Sequence, residues 1–152
     1  MNRTILILYI LGLSLMACGK KEPVNSESQQ VIEQFFEQYG RQGPKASLTA
    51  LLRTNKYIAN ADVDSVSAQL ERMTRGLGDY QGYEKISDAS YGSGVTYHVY
   101  IAKYMRQPLR FHFTFYKPGD VWRIQNFRYE SNYLDEMEET GKPFRLRENH
   151  DR

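Results

Sequence analysis

The side chains in this chain most able to do chemistry are its histidines and tyrosines. There are 3 His and 12 Tyr. His98 and His112 fall in two neighbouring alternating stretches, and His150 lies in a charged C-terminal run. Two imidazoles hold a metal only with further ligands, and no Asp, Glu or Cys accompanies them at ligand spacing. Proton transfer of the isomerase kind needs an acid or base in an apolar pocket, with a hydroxyl to polarise a carbonyl. Tyr80, Tyr83, Tyr97, Tyr100, Tyr104 and Tyr116 could serve as the hydroxyl, but no acid occurs between Val95 and Pro118. Asp79, Glu84 and Asp88 read as surface charges. The sequence therefore points to no catalytic residue, no metal and no cofactor.

The elements that carry these residues are legible in the hydrophobic periods. Val31, Ile32, Phe35, Phe36 and Tyr39 recur at helical spacing and predict a helix over Ser26 to Tyr39. Gly40, Gly43 and Pro44 end it and open a second helix, Pro44 to about Asn55, with Leu48, Leu51 and Leu52 on one stripe. A third helix is expected over roughly Asp62 to Arg75, capped by Asp62 or Asp64, with Val66, Leu70, Met73 and Leu77 buried. Beyond Gly78 the period changes to alternation, the mark of strands. Strands are expected over Tyr80 to Ala89, Val95 to Tyr104, Leu109 to Tyr116 and Val121 to Glu130. In the last strand Trp122 and Ile124 share one phase and Phe127 and Tyr129 the other. That parity change predicts a β-bulge near Gln125 and Asn126. The fold class that follows is α+β, with N-terminal helices packed on a C-terminal four-stranded antiparallel meander.

Two functional surfaces can be drawn on that sheet. Pairing the apolar phase of the second strand (Val95, Tyr97, Val99, Ile101) with Leu109, Phe111, Phe113 and Phe115 leaves a polar-aromatic face. It carries His98, Tyr100, Tyr104, Arg110, His112 and Tyr116, with Thr96 and Thr114. Tyr, His and Arg are residues that interfaces favour, so this face is a candidate contact with a protein partner or a second copy of the chain. The alternative is a small-molecule cup between sheet and helices, walled by Tyr97, Phe113, Trp122 and Phe127, its ligand unknown. Weak enzymatic activity would be compatible with such a cup.

The N-terminus gives an address. Arg3 precedes an apolar run, Ile5 to Leu15, too short for the roughly 20 residues of a membrane span. The run Leu15-Met16-Ala17-Cys18 then resembles a lipobox, the processing motif of bacterial lipoproteins. The resemblance implies cleavage after Ala17 and acylation of Cys18, which is the only cysteine. An ordinary export signal with an unrelated Cys is the alternative. Gly19 after the Cys lacks the Asp of the resembled retention signal, which favours the outer membrane, facing the periplasm, in a diderm cell. The expected layout is signal peptide 1–17, lipidated Cys and tether 18–28, domain 29–132 and charged tail 133–152, partly helical or disordered.

Charge excludes little else. The chain has 20 basic and 18 acidic residues, and removing residues 1–17 takes away Arg3 and no acid, leaving 19 against 18. Such balance speaks against a nucleic-acid binder. Finally, Leu109-Arg110-Phe111-His112-Phe113 through Trp122-Arg123-Ile124 resembles the closing strands of small bacterial lipoproteins in the nuclear transport factor 2-like (cystatin-like) superfamily. The resemblance spans about residues 26–132 and implies a cone-shaped roll, often with a pocket between sheet and helices. Some members are isomerases or dehydratases, and many only bind.

Overall fold

The computed structural model describes residues 26–133, 135–140 and 142. The segments expected to be signal peptide and most of the tether, with Cys18 and His150, lie outside the described residues. Helix α1 spans Ser26–Gln42, α2 Pro44–Leu52 and α3 Asn60–Thr74. Four strands follow: β1 Tyr80–Tyr91, β2 Val95–Tyr104, β3 Leu109–Tyr116 and β4 Arg123–Glu130. They form one antiparallel sheet in the order β1-β2-β3-β4, so the α+β helix-then-meander architecture stands. A short helical stretch, 135–140, lies in the segment expected to be a partly helical tail.

Aromatic residues join the two layers. On α1, Ile32, Phe35, Phe36 and Tyr39 are all buried, as their spacing requires of an amphipathic helix. The Phe35 ring lies 5.4 Å from Phe113, 6.1 Å from Phe111 and 6.1 Å from Phe127. Phe36 stacks on Tyr83 at 4.2 Å and meets Tyr100 at 5.4 Å. Burying side chains of this size contributes roughly 1.5–3 kcal/mol each. They therefore dominate the attachment of α1 to the sheet.

Helices α2 and α3 complete the cover with smaller contacts. Leu48, Leu51 and Leu52 are buried as expected. On α3 the buried stripe is Val63, Ser67, Leu70 and Thr74, while Val66 and Met73 are only partly buried. On this buried side Thr49 Oγ1 of α2 donates to Ser67 Oγ at 3.1 Å, so the two helices meet through small polar side chains. Neither Asp62 nor Asp64 caps α3: it begins at Asn60, its N-cap Ala59 offers no side chain, and Asp62 falls within the first turn. There its charge still complements the helix dipole. Between α2 and α3, buried Asn55 donates from Nδ2 to the Ile124 carbonyl at 2.8 Å, pinning the loop to β4.

Strands β2 and β3 begin and end where the alternation sets them, whereas β1 runs on to Tyr91 rather than Ala89 and β4 begins at Arg123 rather than Val121, leaving Trp122 before the strand; the bulge falls where the parity change puts it. Thr114 pairs with Asn126 but Phe115 with Ile124, leaving Gln125 as the extra residue. This puts Ile124, Phe127 and Tyr129 on the helix side despite their change of parity. Strand β1 carries two further register shifts, at Gln81 and at Ile86. The turn into β1 needs Gly78, whose φ is 82° and whose missing Cβ would lie 3.1 Å from Met105 Cβ.

Helix α1 starts before the expected domain boundary. Ser28, assigned by sequence to the tether, is fully buried against the sheet. The folded unit therefore takes in residues 26–28.

Candidate functional site

The register of β2 against β3 decides which side chains can act together. His98 pairs with Phe113, Tyr100 with Phe111 and Ala102 with Leu109. Directly paired residues point to one face. Thr96, His98, Tyr100 and Tyr104 therefore look toward the helices. Arg110, His112, Thr114 and Tyr116 look outward, with Tyr97. The polar-aromatic face inferred from the sequence is thus divided between the two sides of the sheet, because the true register differs by one residue from the assumed one. Of its six residues, Arg110, His112 and Tyr116 stay together, and His98, Tyr100 and Tyr104 belong to the interior. His98 and His112 lie on opposite faces and cannot share an ion.

The wall assigned to a cup is divided in the same way. Tyr97 is on the outer face. Phe113, Trp122 and Phe127 are inside, where Phe113 and Phe127 are 5.3 Å apart and both touch Phe35. The rings of α1 occupy the space that such a wall would enclose.

On the inner face, His98 is fully buried and shares a 2.9 Å hydrogen bond with Ser28 Oγ, which also accepts from Thr96 Oγ1 at 3.1 Å. Burial drives the imidazole pKa down to about 4, the nearby Lys85 charge adds to this, and Asp88 opposes it. His98 is neutral at physiological pH, and its Nδ1 is buried without a partner. Its role is to tie the first turn of α1 to the middle of the sheet.

On the outer face, His112 is the centre of a charged network. Tyr97 donates to Nδ1 at 2.5 Å, and Nε2 donates to Glu130 Oε1 at 2.6 Å. Arg110 donates to the same Glu130 oxygen at 2.6 Å and to both oxygens of Glu136 at 2.6 and 2.8 Å. Burial lowers the His112 pKa; the Glu130 hydrogen bond opposes this, and the Arg128 and Arg110 charges assist it. For Glu130, burial raises the pKa, but hydrogen bonds from Arg110 and His112 outweigh it and hold the carboxyl below its usual range. A hydroxyl, an imidazole and a carboxylate in line follow the logic of an activated nucleophile. Here Arg110 neutralises the carboxylate that would raise the basicity of the imidazole. The arrangement clamps β2, β3 and β4 and is a poor base.

Beyond this network the outer face becomes aromatic and exposed. Tyr91, Val95, Tyr116 and Arg123 are successive partners across all four strands and form one row. The Arg123 guanidinium lies 5.5 Å from the Tyr116 ring centre and 4.8 Å from that of Tyr57, which the α2–α3 loop supplies. Tyr57 is 70% exposed and Tyr91 66%. Tyr57, Tyr91 and Arg123 were not singled out in the sequence. Only the register and the loop contact bring them together.

A third grouping lies where the ends of α1 and α3 meet the start of β1 and the end of β2. A cleft of about 360 Å³ opens there, lined by Tyr39, Tyr80 and Tyr104 with Thr74, Glu71 and Asp79. Tyr80 and Tyr104 are cross-strand partners, their rings 5.7 Å apart, and Tyr39 packs on Tyr80 at 5.1 Å. The hydroxyls of Tyr39 and Tyr104 are hydrogen-bonded to each other. That of Tyr80 is buried without a partner. Burial raises the pKa of Tyr39 and Tyr80; it pushes Tyr104 up to about 12 against the hydrogen bonds to Tyr39 and Thr74. All three hydroxyls stay protonated across the physiological range, and in the Tyr39–Tyr104 pair one of them accepts from the other.

No protein-family model matches the chain, and no curated protein matches its sequence. Among the solved structures similar to the chain is one titled Rd1NTF2_05 with a string of substitutions, at 12% identity and a TM-score of 0.48. The match covers 68% of this chain and 97% of that one.

Proposed function

We propose that this chain is a lipid-anchored protein of the bacterial cell envelope. On this reading its domain is a non-enzymatic docking module, meeting a protein partner or a second copy of itself through the outer sheet face. The address rests on Leu15, Ala17 and Cys18 behind a short apolar run. In a diderm cell the outer membrane is the destination. No described helix is long and apolar enough to cross a membrane. Two or more acyl chains at Cys18 would give stable anchoring. Cys18→Ala should move the protein from the membrane to the soluble envelope fraction. Unchanged membrane retention would remove the lipid from the account.

The observation that carries the docking reading is the outer-face row of exposed Tyr91 and Tyr116 with half-buried Arg123, extended by exposed Tyr57. Tyr and Arg dominate the energetics of protein interfaces, and exposed aromatic patches on soluble domains mark contact sites. The test is a photo-crosslinking residue placed at Tyr91 or Tyr116 in cells, with exposed Glu37 on α1 as control. A discrete adduct from the row, lost on Arg123→Ser, supports docking. Equal labelling from Glu37, or no adduct, sinks it.

Small-molecule binding is the second reading. It is favoured by one observation, the tyrosine-lined cleft, rather than by the filled space between α1 and the sheet.

A further inference from the structure

We infer that the outer face docks a different protein, and that this partner seats a carboxylate, from an Asp or Glu flanked by apolar side chains, on the guanidinium of Arg123. The inference rests on the docking reading and deepens it by naming the partner's chemistry. Three observations select an acidic partner.

First, the same face already holds one such seat, filled by the chain itself. The Arg110 guanidinium lies 5.7 Å from the Tyr133 ring centre, and its two terminal nitrogens donate to the two oxygens of Glu136 at 2.6 and 2.8 Å. Glu130 takes a further bond. A tyrosine ring beside the guanidinium and a carboxylate across its fork satisfy that cation. Arg123 has the rings, Tyr57 at 4.8 Å and Tyr116 at 5.5 Å. Among the described residues, however, no Asp or Glu pairs with it. Asp120, three residues earlier, makes no ion pair.

Second, the Arg123 fork is preset and open at one end. The residue is half-buried, and its Nε is shut off from solvent without a partner. The two terminal nitrogens keep their solvent access and donate to no described residue. A planar fork held against two rings offers parallel N–H bonds to a carboxylate, and its fixed position lowers the ordering cost of binding.

Third, the charges around it are one-sided. Three successive cross-strand rows, from Tyr91–Val95–Tyr116–Arg123 to Ser87–Val99–His112–Arg128, contain no Asp or Glu. Lys56, whose Nζ lies 5.3 Å from the Tyr57 ring centre, adds a cation without an ion pair. A two-fold contact between copies would lay these rows on themselves, cation against cation. An acidic segment of another protein is the electrostatic complement. Exposed Tyr57 and Tyr91 receive the apolar side chains beside the acid.

The test uses the full chain, purified from an export-competent bacterium with isotope-labelled arginine. The probes are capped peptides Gly-Phe-Xaa-Phe-Gly in which Xaa is Glu, Gln, phosphoserine or Lys. The Nε resonance of Arg123, assigned by its loss in Arg123→Lys, reports the seat. A saturable shift with the Glu peptide is expected. The Gln peptide should bind roughly 12- to 140-fold more weakly, the fold-change of a hydrogen bond to a charged group. Arg123→Gln should weaken the Glu peptide by a like factor, read from the peptide's own signals, with little change in the thermal unfolding midpoint. Equal binding of the Glu and Gln peptides, tighter binding of the phosphoserine or Lys peptide, or no saturable shift with the Glu peptide would overturn the inference. The peptide comparison on the unaltered protein does not depend on how any variant folds. In cells, an adduct from Tyr91 that joins two copies of this chain, or whose partner segment holds no Asp or Glu, overturns the inference and leaves docking standing.

Discussion

His98 stands directly across the β2–β3 ladder from Phe113 and faces the helices, while His112, adjacent to Phe113 in the chain, faces the opposite side. The two imidazoles therefore respond to acid for different reasons. His98 is fully buried, and burial lowers its pKa from 6.5 to about 4. A group whose folded pKa is depressed stabilises the fold above its unfolded pKa. Below pH 6.5 the unfolded chain takes up a proton at His98 that the folded chain refuses. Stability should fall as pH drops from 6.5 toward 4, by on the order of 3 kcal/mol at most. Urea unfolding followed by the fluorescence of Trp122, the single Trp, measures it. His98→Gln, which keeps a donor for Ser28, should flatten the slope between pH 6.5 and 4.5. An equal slope in both proteins would assign the acid sensitivity elsewhere.

The outer clamp should behave as a unit. Glu130 accepts from Arg110 and His112, and the Arg110 side chain is only 13% exposed. Glu130→Gln leaves that guanidinium with Glu136 alone and should cost about 1–3 kcal/mol. Replacing Arg110 with Met as well should recover part of the loss, because the uncompensated charge goes with it. Additive losses in the double-mutant cycle would mean that the pair is not coupled. Glu130 is depressed too, so the stability it supplies is present above the ordinary carboxylate range and lost as pH falls through its folded value.

The interior should tolerate little. Phe36 is 1% exposed and touches Tyr83, Tyr100, Phe111 and Phe113. Phe36→Ala should cost about 3–5 kcal/mol through lost burial and the cavity left behind. By contrast, Val121 is 75% exposed, and Val121→Ala should change stability by less than about 0.5 kcal/mol. Chemical denaturation separates the two. Similar costs would contradict the placement of Phe36 at the helix–sheet seam.

The loop clamp gives a fourth check. Asn55 Nδ2 donates to the Ile124 carbonyl, and its Oδ1 accepts from the Tyr57 backbone N–H at 3.1 Å. Asn55→Ala leaves both partners unmatched and should cost about 1–3 kcal/mol. It also frees the loop that holds Tyr57 against Arg123. Loss of crosslinking from the outer row in Asn55→Ala, at temperatures where the domain remains folded, is the expected result.

Much of this architecture is legible in the sequence because alternation and turn residues are local signals. Val95 to Tyr104 and Leu109 to Tyr116 can be read to the residue. The bulge at Gln125 shows as a change of parity. What alternation does not carry is which phase of one strand joins which phase of the next. That is set by the turn from Tyr104 to Leu109, and a shift of one residue exchanges the faces. Hydrophobicity misleads here. The more apolar phase of β2, Val95, Tyr97, Val99 and Ile101, looks outward. His98 takes an interior place because Ser28, seventy residues away in the chain, satisfies it. The cleft is invisible for a similar reason: Tyr39, Tyr80 and Tyr104 come from three elements, and only the completed fold brings their hydroxyls to one place.

The two register shifts in β1 bear on how copies of this protein coexist at high local density. A twelve-residue edge strand is a template on which a neighbouring chain could zip and seed a fibre. The extra residues at Gln81 and Ile86 break it into runs no longer than Ser87 to Tyr91. A stranger's strand would lose step before it could gain a cooperative hold. Sedimentation of concentrated samples of an Ile86 deletion against the parent protein would reveal how much colloidal stability depends on that one extra residue.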